Sequence, residues 1–292
     1  MKKFNTLISA KLLHDSLTGN VKNMRVLDAS WHLPSLQRDG RKEYVEKHIP
    51  KASFFDIDEC SDKTSQFSHT VPRQSHFEDY VGNLGICNNT HVIIYDNSEN
   101  GFFSAPRAWW TFKIFGHKSI SLLNGGFPKW CLEGYPTSSE IPSFSKETYS
   151  ASMNKTLVKS FEDIVRNIED KEFQLVDARS SGRFYATDPE PETGAPRGHI
   201  VGSVNIPYDS IIDPETKEVK NPADLRTVFA DVQIDLEKPI AASCGSGVTA
   251  CCLALAGHLC GKDISVYDGS WSEWSKRSKP HQRVPGVTDN EE

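Results

Sequence analysis

No run of the sequence comes near the roughly 20 consecutive apolar residues that a membrane-spanning helix takes, so a helical membrane protein is excluded. Charge of one sign is also scarce. The chain sets 33 Lys and Arg against 39 Asp and Glu, a formal charge of −6, and so offers no basic footprint for nucleic acid or for an anionic membrane surface. The opening Met1-Lys2-Lys3-Phe4-Asn5-Thr6-Leu7-Ile8 lacks both a long apolar core and a small-residue cleavage site; a secretory signal is not expected, and a mitochondrial presequence fits poorly. Cysteines number seven, an odd count without paired spacings, in a chain large enough to fold without disulfide staples, which predicts reduced thiols and a cytoplasmic setting. No Cys or His grouping has zinc spacing and no glycine-rich phosphate loop is followed by a lysine, so neither metal nor cofactor is expected.

What is present is enough chain for two ordinary domains, 292 residues at 37% hydrophobic and 25% charged. The two halves share landmarks in the same order. Leu7-Ile8-Ser9 answers Leu157-Val158-Lys159-Ser160, and Arg25-Val26-Leu27-Asp28-Ala29 answers Gln174-Leu175-Val176-Asp177-Ala178. His48-Ile49 answers His199-Ile200, Val92-Ile93-Ile94-Tyr95 answers Ile240-Ala241-Ala242-Ser243, and Asn124-Gly125-Gly126 through Trp130 answers Asp268-Gly269-Ser270 through Trp274. Short β-rich runs alternate with helical patterns, which predicts in each half an α/β fold with an open, mostly parallel sheet flanked by helices. The expected organisation is a first domain over residues 1–137, a linker over 138–155 rich in Pro and Ser, and a second domain over 156–292. Leu7, Ile8, Leu12, Leu13 and Leu17 fall at helical spacing around Ser9, a candidate N-cap, and predict the first helix of a domain.

Cys244-Gly245-Ser246-Gly247-Val248-Thr249 lies between an apolar strand and a helical run beginning at Ala250, where α/β sheets place their ligands. Gly245 and Gly247 let the backbone curl so that successive amides point inward, and the helix N-terminus adds partial positive charge. A cysteine at the mouth of such a loop is expected to be held as the attacking thiolate, although glycines serving only a turn around a buried cysteine would read the same way in isolation. The matching position of the first half is Asp96. Cys251 and Cys252 read as helix packing, and Cys60 and Cys260 as either plain thiols or an oxidative switch.

These features resemble a known family, the tandem rhodanese-fold sulfurtransferases, and within it the members that use 3-mercaptopyruvate. The resemblance spans nearly the whole chain: Leu27-Asp28-Ala29-Ser30-Trp31, His48-Ile49-Pro50, Phe54-Phe55-Asp56-Ile57-Asp58, Ser104-Ala105-Pro106-Arg107, Gly182-Arg183-Phe184, Gly198-His199-Ile200, the Cys244 loop and Tyr267-Asp268-Gly269-Ser270-Trp271. It implies a catalytically silent first domain and a persulfide carried by Cys244. The implied donor is 3-mercaptopyruvate, with pyruvate released; small thiols, thioredoxin or cyanide are the acceptors, and hydrogen sulfide is released after a thiol accepts the sulfur. The resemblance further implies that Arg183 binds the donor carboxylate, that Gly245, Gly247, Val248 and Thr249 line the substrate, and that Asp58, His69 and Ser246 handle the proton. In isolation Asp58 and His69 would read as polar turn and loop residues. Where such members carry a second arginine, this chain has Glu192; Arg197 either supplies that charge or is a surface arginine. Neutral Gly245 and Ser246 suit a mono-carboxylate donor better than thiosulfate, the first rival. A cysteine phosphatase would need an arginine where Ala250 stands, and a noncatalytic sulfide-sensing module would not need the thiol loop.

Overall fold

The computed structural model describes residues 5–19, 21–192 and 194–285. The chain forms two compact units: the first gathers residues up to Thr64, Val71–Asn154 and Ile212–Val219, the second Ser65–Thr70, Lys155–Ile211 and the chain from Lys220 onward. The stretch 138–154, expected as a linker, therefore belongs to the first unit. Its backbone is tied there by an antiparallel bridge between Ser138 and His48, and by Glu147 N–H to Gly82 O and Ser152 N–H to Phe115 O, bonds that satisfy a segment lying outside the sheet.

In the first unit the strands are β1 Leu7–Ile8, β2 Met24–Asp28, β3 Ala52–Phe54, β4 His91–Tyr95 and β5 Ile120–Leu123. Its helices are α1 Ala10–Thr18, α2 Gly40–Glu46, α3 Gln74–Asn83, α4 Ala105–Ile114 and α5 Gly126–Leu132. All pairings are parallel, in the order β1-β5-β4-β2-β3. The second unit holds β6 Val158–Lys159, α6 Phe161–Asp170, β7 Gln174–Asp177, α7 Ser181–Phe184, β8 His199–Ile200, β9 Ser203–Asn205, α8 Pro222–Asp231, β10 Ile240–Ser243, α9 Ala250–Leu259, β11 Ser265–Tyr267, α10 Ser270–Arg277 and β12 Arg283–Val284. Its main sheet repeats the same permutation, β6-β11-β10-β7-β9, again all parallel, and β8 pairs with β12 in a small antiparallel ribbon.

The repeat extends to single bonds. Ala29 N–H donates to Tyr95 O at 2.8 Å in one unit, and Ala178 N–H to Ser243 O at 2.8 Å in the other. His48 shares a hydrogen bond with Tyr44 O and stacks on that ring, while His199 does the same with Phe184 O and the Phe184 ring. Ser9 caps α1 by accepting from Leu12 N–H, and Ser160 caps α6 within a reciprocal box with Asp163. One expectation is corrected here: Leu7 and Ile8 precede the cap and form an edge strand against β5, so the helix begins only at Ala10. Strand β4 is buried along its whole length, as a central parallel strand covered on both faces must be. The apolar cores follow from these sheets, with Trp130 closing one and Trp274 the other.

Candidate active site

Strand β10 is buried throughout and ends at Ser243, which puts Cys244 at the carboxyl end of a central strand. Helix α10 shapes the loop that follows. Trp271 N–H donates to Cys244 O at 2.9 Å, Ser272 N–H and Oγ–H both donate to Gly245 O at 2.8 and 2.7 Å, and Cys244 N–H donates to Ser270 Oγ at 3.1 Å. Because a trans peptide sets its C=O and N–H in opposite directions, pinning the carbonyls of 244 and 245 to α10 turns the amides of Gly245 and Ser246 away from it. Gly247 lies at φ +78°, a left-handed turn suited to glycine.

Among the described residues, the N–H groups of Gly245, Ser246, Val248, Thr249 and Ala250 have no protein acceptor, although Val248, Thr249 and Ala250 are buried. A run of buried, unmatched amides costs stability unless an anion completes it, and it marks a binding site. The first unit shows what completes it. Asp96 occupies the place of Cys244, its carbonyl accepting from Phe127 N–H as that of Cys244 accepts from Trp271 N–H. Its carboxylate accepts from Phe103, Ser104 and Ala105 N–H at 2.8–2.9 Å, three amides leading into α4 as Val248, Thr249 and Ala250 lead into α9, and also from Ser98 N–H and Oγ–H. In one unit the cradle is filled by the carboxylate of Asp96; in the other the equivalent chain position is Cys244 and the amides that follow it are unmatched.

Ser246 Oγ and His69 Nδ1 share a hydrogen bond of 3.0 Å. His69 comes from Ser65–Thr70, the segment of the first half that groups with the second unit, and it sits at φ +61°, a left-handed backbone costly for a residue with a Cβ. The structure thus brings His69, Ser246 and Cys244 into one unit. Asp58 belongs to the first unit, where its Oδ2 accepts from Trp31 Nε1–H at 3.0 Å.

Arg183 lies on α7 beside the loop: a Cβ built on Gly245 would stand 2.9 Å from Arg183 Nη2. A side chain at 245 would therefore have to push the end of the Arg183 guanidinium aside. Val248 and Thr249 are buried at the loop's end. Arg197 is exposed and makes no hydrogen bond or ion pair among the described residues, and Glu192 pairs with Lys276 at 3.0 Å on the surface. Sequence reasoning missed Arg179 and Glu190. Arg179 is buried, grips Asp177 with Nε and Nη2, reaches Glu190 with Nη1 at 2.8 Å and stacks on Trp271; Glu190 then accepts from Arg183 Nε–H and Nη2–H. The signals were an arginine directly after the repeated Asp-Ala and an acid between two prolines.

None of the seven cysteines is in a disulfide. Cys251 and Cys252 are fully buried in α9, with Cys251 Sγ–H donating to Gly247 O. Burial pushes the thiols of Cys60 and Cys260 up, so both resist forming the thiolate that oxidation needs.

Fold and loop together define a two-domain α/β protein with a cysteine at the head of a loop of unmatched amides. Residues 11–133 and 160–277 match the rhodanese-like domain, and the chain belongs to that family as a tandem sulfurtransferase. It is 49% identical over 285 residues to the thiosulfate sulfurtransferase of Rattus norvegicus, covering 96% of this chain and 95% of that relative. To the 3-mercaptopyruvate sulfurtransferase of Mus musculus it is 48% identical over 284 residues, with shares of 96% and 95%. The crystal structure of Escherichia coli SseA, described with the fold and mechanism of 3-mercaptopyruvate sulfotransferases, aligns with a TM-score of 0.82 at 31% identity over 92% of this chain and 99% of its own.

Proposed function

We propose that Cys244 accepts sulfur as a persulfide from 3-mercaptopyruvate and passes it to small thiols, thioredoxin or cyanide in the cytoplasm, with hydrogen sulfide released when a second thiol reduces the acceptor's persulfide and is left with it as a disulfide. The observation that carries this reading is the row of unmatched amides at Cys244 beside its filled counterpart at Asp96. Such a cradle stabilises the attacking thiolate and then the persulfide anion without reorganising. In the first half-reaction the Cys244 sulfur bonds to the donor sulfur, the donor's C–S bond breaks, and the electron pair leaves on the enolate of pyruvate. The proton that the donor thiol gives up is the one this enolate needs, and the bonded pair Ser246–His69 is placed to move it. In the second half-reaction an acceptor takes the outer sulfur and Cys244 returns to thiolate.

Thiosulfate is the second reading, since the relatives divide between both names. The neutral Gly245, with the guanidinium of Arg183 beside it as the cation at this point of the loop, supports a mono-carboxylate donor over a dianion. Intact mass spectrometry after exposure to each donor, beside Cys244→Ser, tests the reading. The wild type should gain one sulfur atom and the variant none; a gain in both, or in neither, removes Cys244 from the chemistry. His69→Gln separates the donors further. Turnover with 3-mercaptopyruvate should fall by about 10²-fold, while persulfide formation from thiosulfate, whose sulfite leaves without a proton, should stay within a few fold. Parallel losses on both donors would mean that His69 only shapes the loop.

A further inference from the structure

Arg183 does not wait for substrate as an isolated charge. Its Nε–H and Nη2–H both reach Glu190 Oε2, at 3.2 and 2.5 Å, while Glu190 Oε1 takes Arg179 Nη1–H at 2.8 Å. The Glu190 side chain is 4% exposed, and the four groups Asp177, Arg179, Glu190 and Arg183 sum to no net charge. Arg179 is fixed from three further sides, by Asp177, by Gly198 O and by the Trp271 ring, so Glu190 hangs from a rigid anchor. The lateral edge of the Arg183 guanidinium is thereby consumed. Nη1, for which the described residues provide no acceptor, and the second proton of Nη2 are left at its end edge, beside Gly245.

The first unit carries the same device. Glu43 accepts from Arg38 Nε–H and Nη2–H, both at 2.7 Å, and Arg38 Nη2–H also donates to Asn97 O, the residue after Asp96 as Gly245 is the residue after Cys244. A glutamate on the lateral edge of an arginine held at the loop is thus part of the repeat. In the first unit the arginine's remaining donor closes onto the loop itself; in the second the loop offers no such bond to Arg183.

We propose that Glu190 is a positioning and specificity-determining residue: it presents only the end edge of Arg183 to the donor and offsets its charge, so that the site favours a planar monoanionic carboxylate over a dianion. This rests on the reading that Cys244 takes sulfur from a carboxylate donor. A planar carboxylate can take two parallel N–H bonds from one guanidinium edge, whereas a second negative charge finds no net positive charge in this four-residue cluster to balance it.

The test is the ratio of kcat/KM for thiosulfate to that for 3-mercaptopyruvate. Glu190→Gln keeps an acceptor oxygen and removes the charge, and should raise this ratio about 10-fold, mainly through KM for thiosulfate; Glu190→Asp should restore the wild-type ratio even at reduced activity. Equal losses on both donors, leaving the ratio unmoved, would make Glu190 a packing residue and overturn the proposal. If Glu190→Gln does not fold, calorimetry on the wild type decides with inert probes at matched ionic strength. Pyruvate should bind about 10-fold more tightly than sulfate, and sulfate binding as well or better overturns the proposal. A wild type that forms no persulfide with either donor sinks the proposed function, whereas a wild type that turns over with an unmoved ratio sinks only the role of Glu190.

Discussion

Asp96→Ala is expected to destabilise the protein by on the order of 4 kcal/mol, because it strips the acceptor from buried amides that cannot turn to water. Each buried donor left unmatched costs about 1–3 kcal/mol; Phe103, Ser104 and Ala105 lose their acceptor together, and Ser98 loses two bonds more. Water entering the cavity offsets part of the sum, which is why the expected loss is below the simple total. Urea unfolding followed by fluorescence measures it. The same variant offers an empty anion site, so formate should raise its melting temperature and leave that of the wild type unchanged. A loss below about 1 kcal/mol, or a variant indifferent to formate, would show that these amides do not hold negative charge strongly, and the argument from Asp96 to Cys244 would go with it.

The correspondence between Asp96 and Cys244 was legible in the sequence because both follow a short apolar strand after the same number of landmarks. The loop was legible for a similar reason: two glycines and small polar residues between a strand and a helix have few conformations. The fold class followed from alternation. The edge strand β1 did not, since two residues carry no period, and their spacing to Leu12 and Leu13 imitated a helix. Nor did the packing of 138–154 along the first unit, because an extended segment bonded through its backbone leaves no pattern in its side chains. Glu190 was hidden by distance. Its meaning depends on Arg179 and Arg183 meeting it after the chain turns through α7, and a sequence read linearly shows an acid where a base was sought at 192.

Asp28→Asn should reverse a pH dependence built into the first unit. Asp28 and Asp177 end equivalent strands, but Asp177 is paired with Arg179, whereas Asp28 is followed at that place by Ser30, whose N–H and Oγ–H donate to it. Burial without a cation pushes the Asp28 carboxyl up to about 7, with the Tyr95 hydroxyl and Ser30 only partly opposing it. The folded chain therefore keeps a proton that the unfolded chain gives up near the ordinary value of 3.8. The stabilisation is full below that value, is lost as pH rises toward 7, and its loss amounts to on the order of 4 kcal/mol by pH 8. His91 works the other way: burial holds its imidazole near 4, so the neutral ring costs nothing above its ordinary 6.5, but acid binds the unfolded chain first and removes on the order of 3 kcal/mol by pH 4. The two groups oppose one another between about pH 4 and 7. Asp28→Asn removes only the carboxyl, so relative to the wild type the variant should gain stability steadily from pH 5 to pH 8, and it should expose the acid loss due to His91. Denaturant titrations at pH 5, 6.5 and 8 read this directly. A difference between variant and wild type that stays constant across those values would mean that Asp28 is ionised throughout, held so by the Ser30 and Tyr95 hydroxyls.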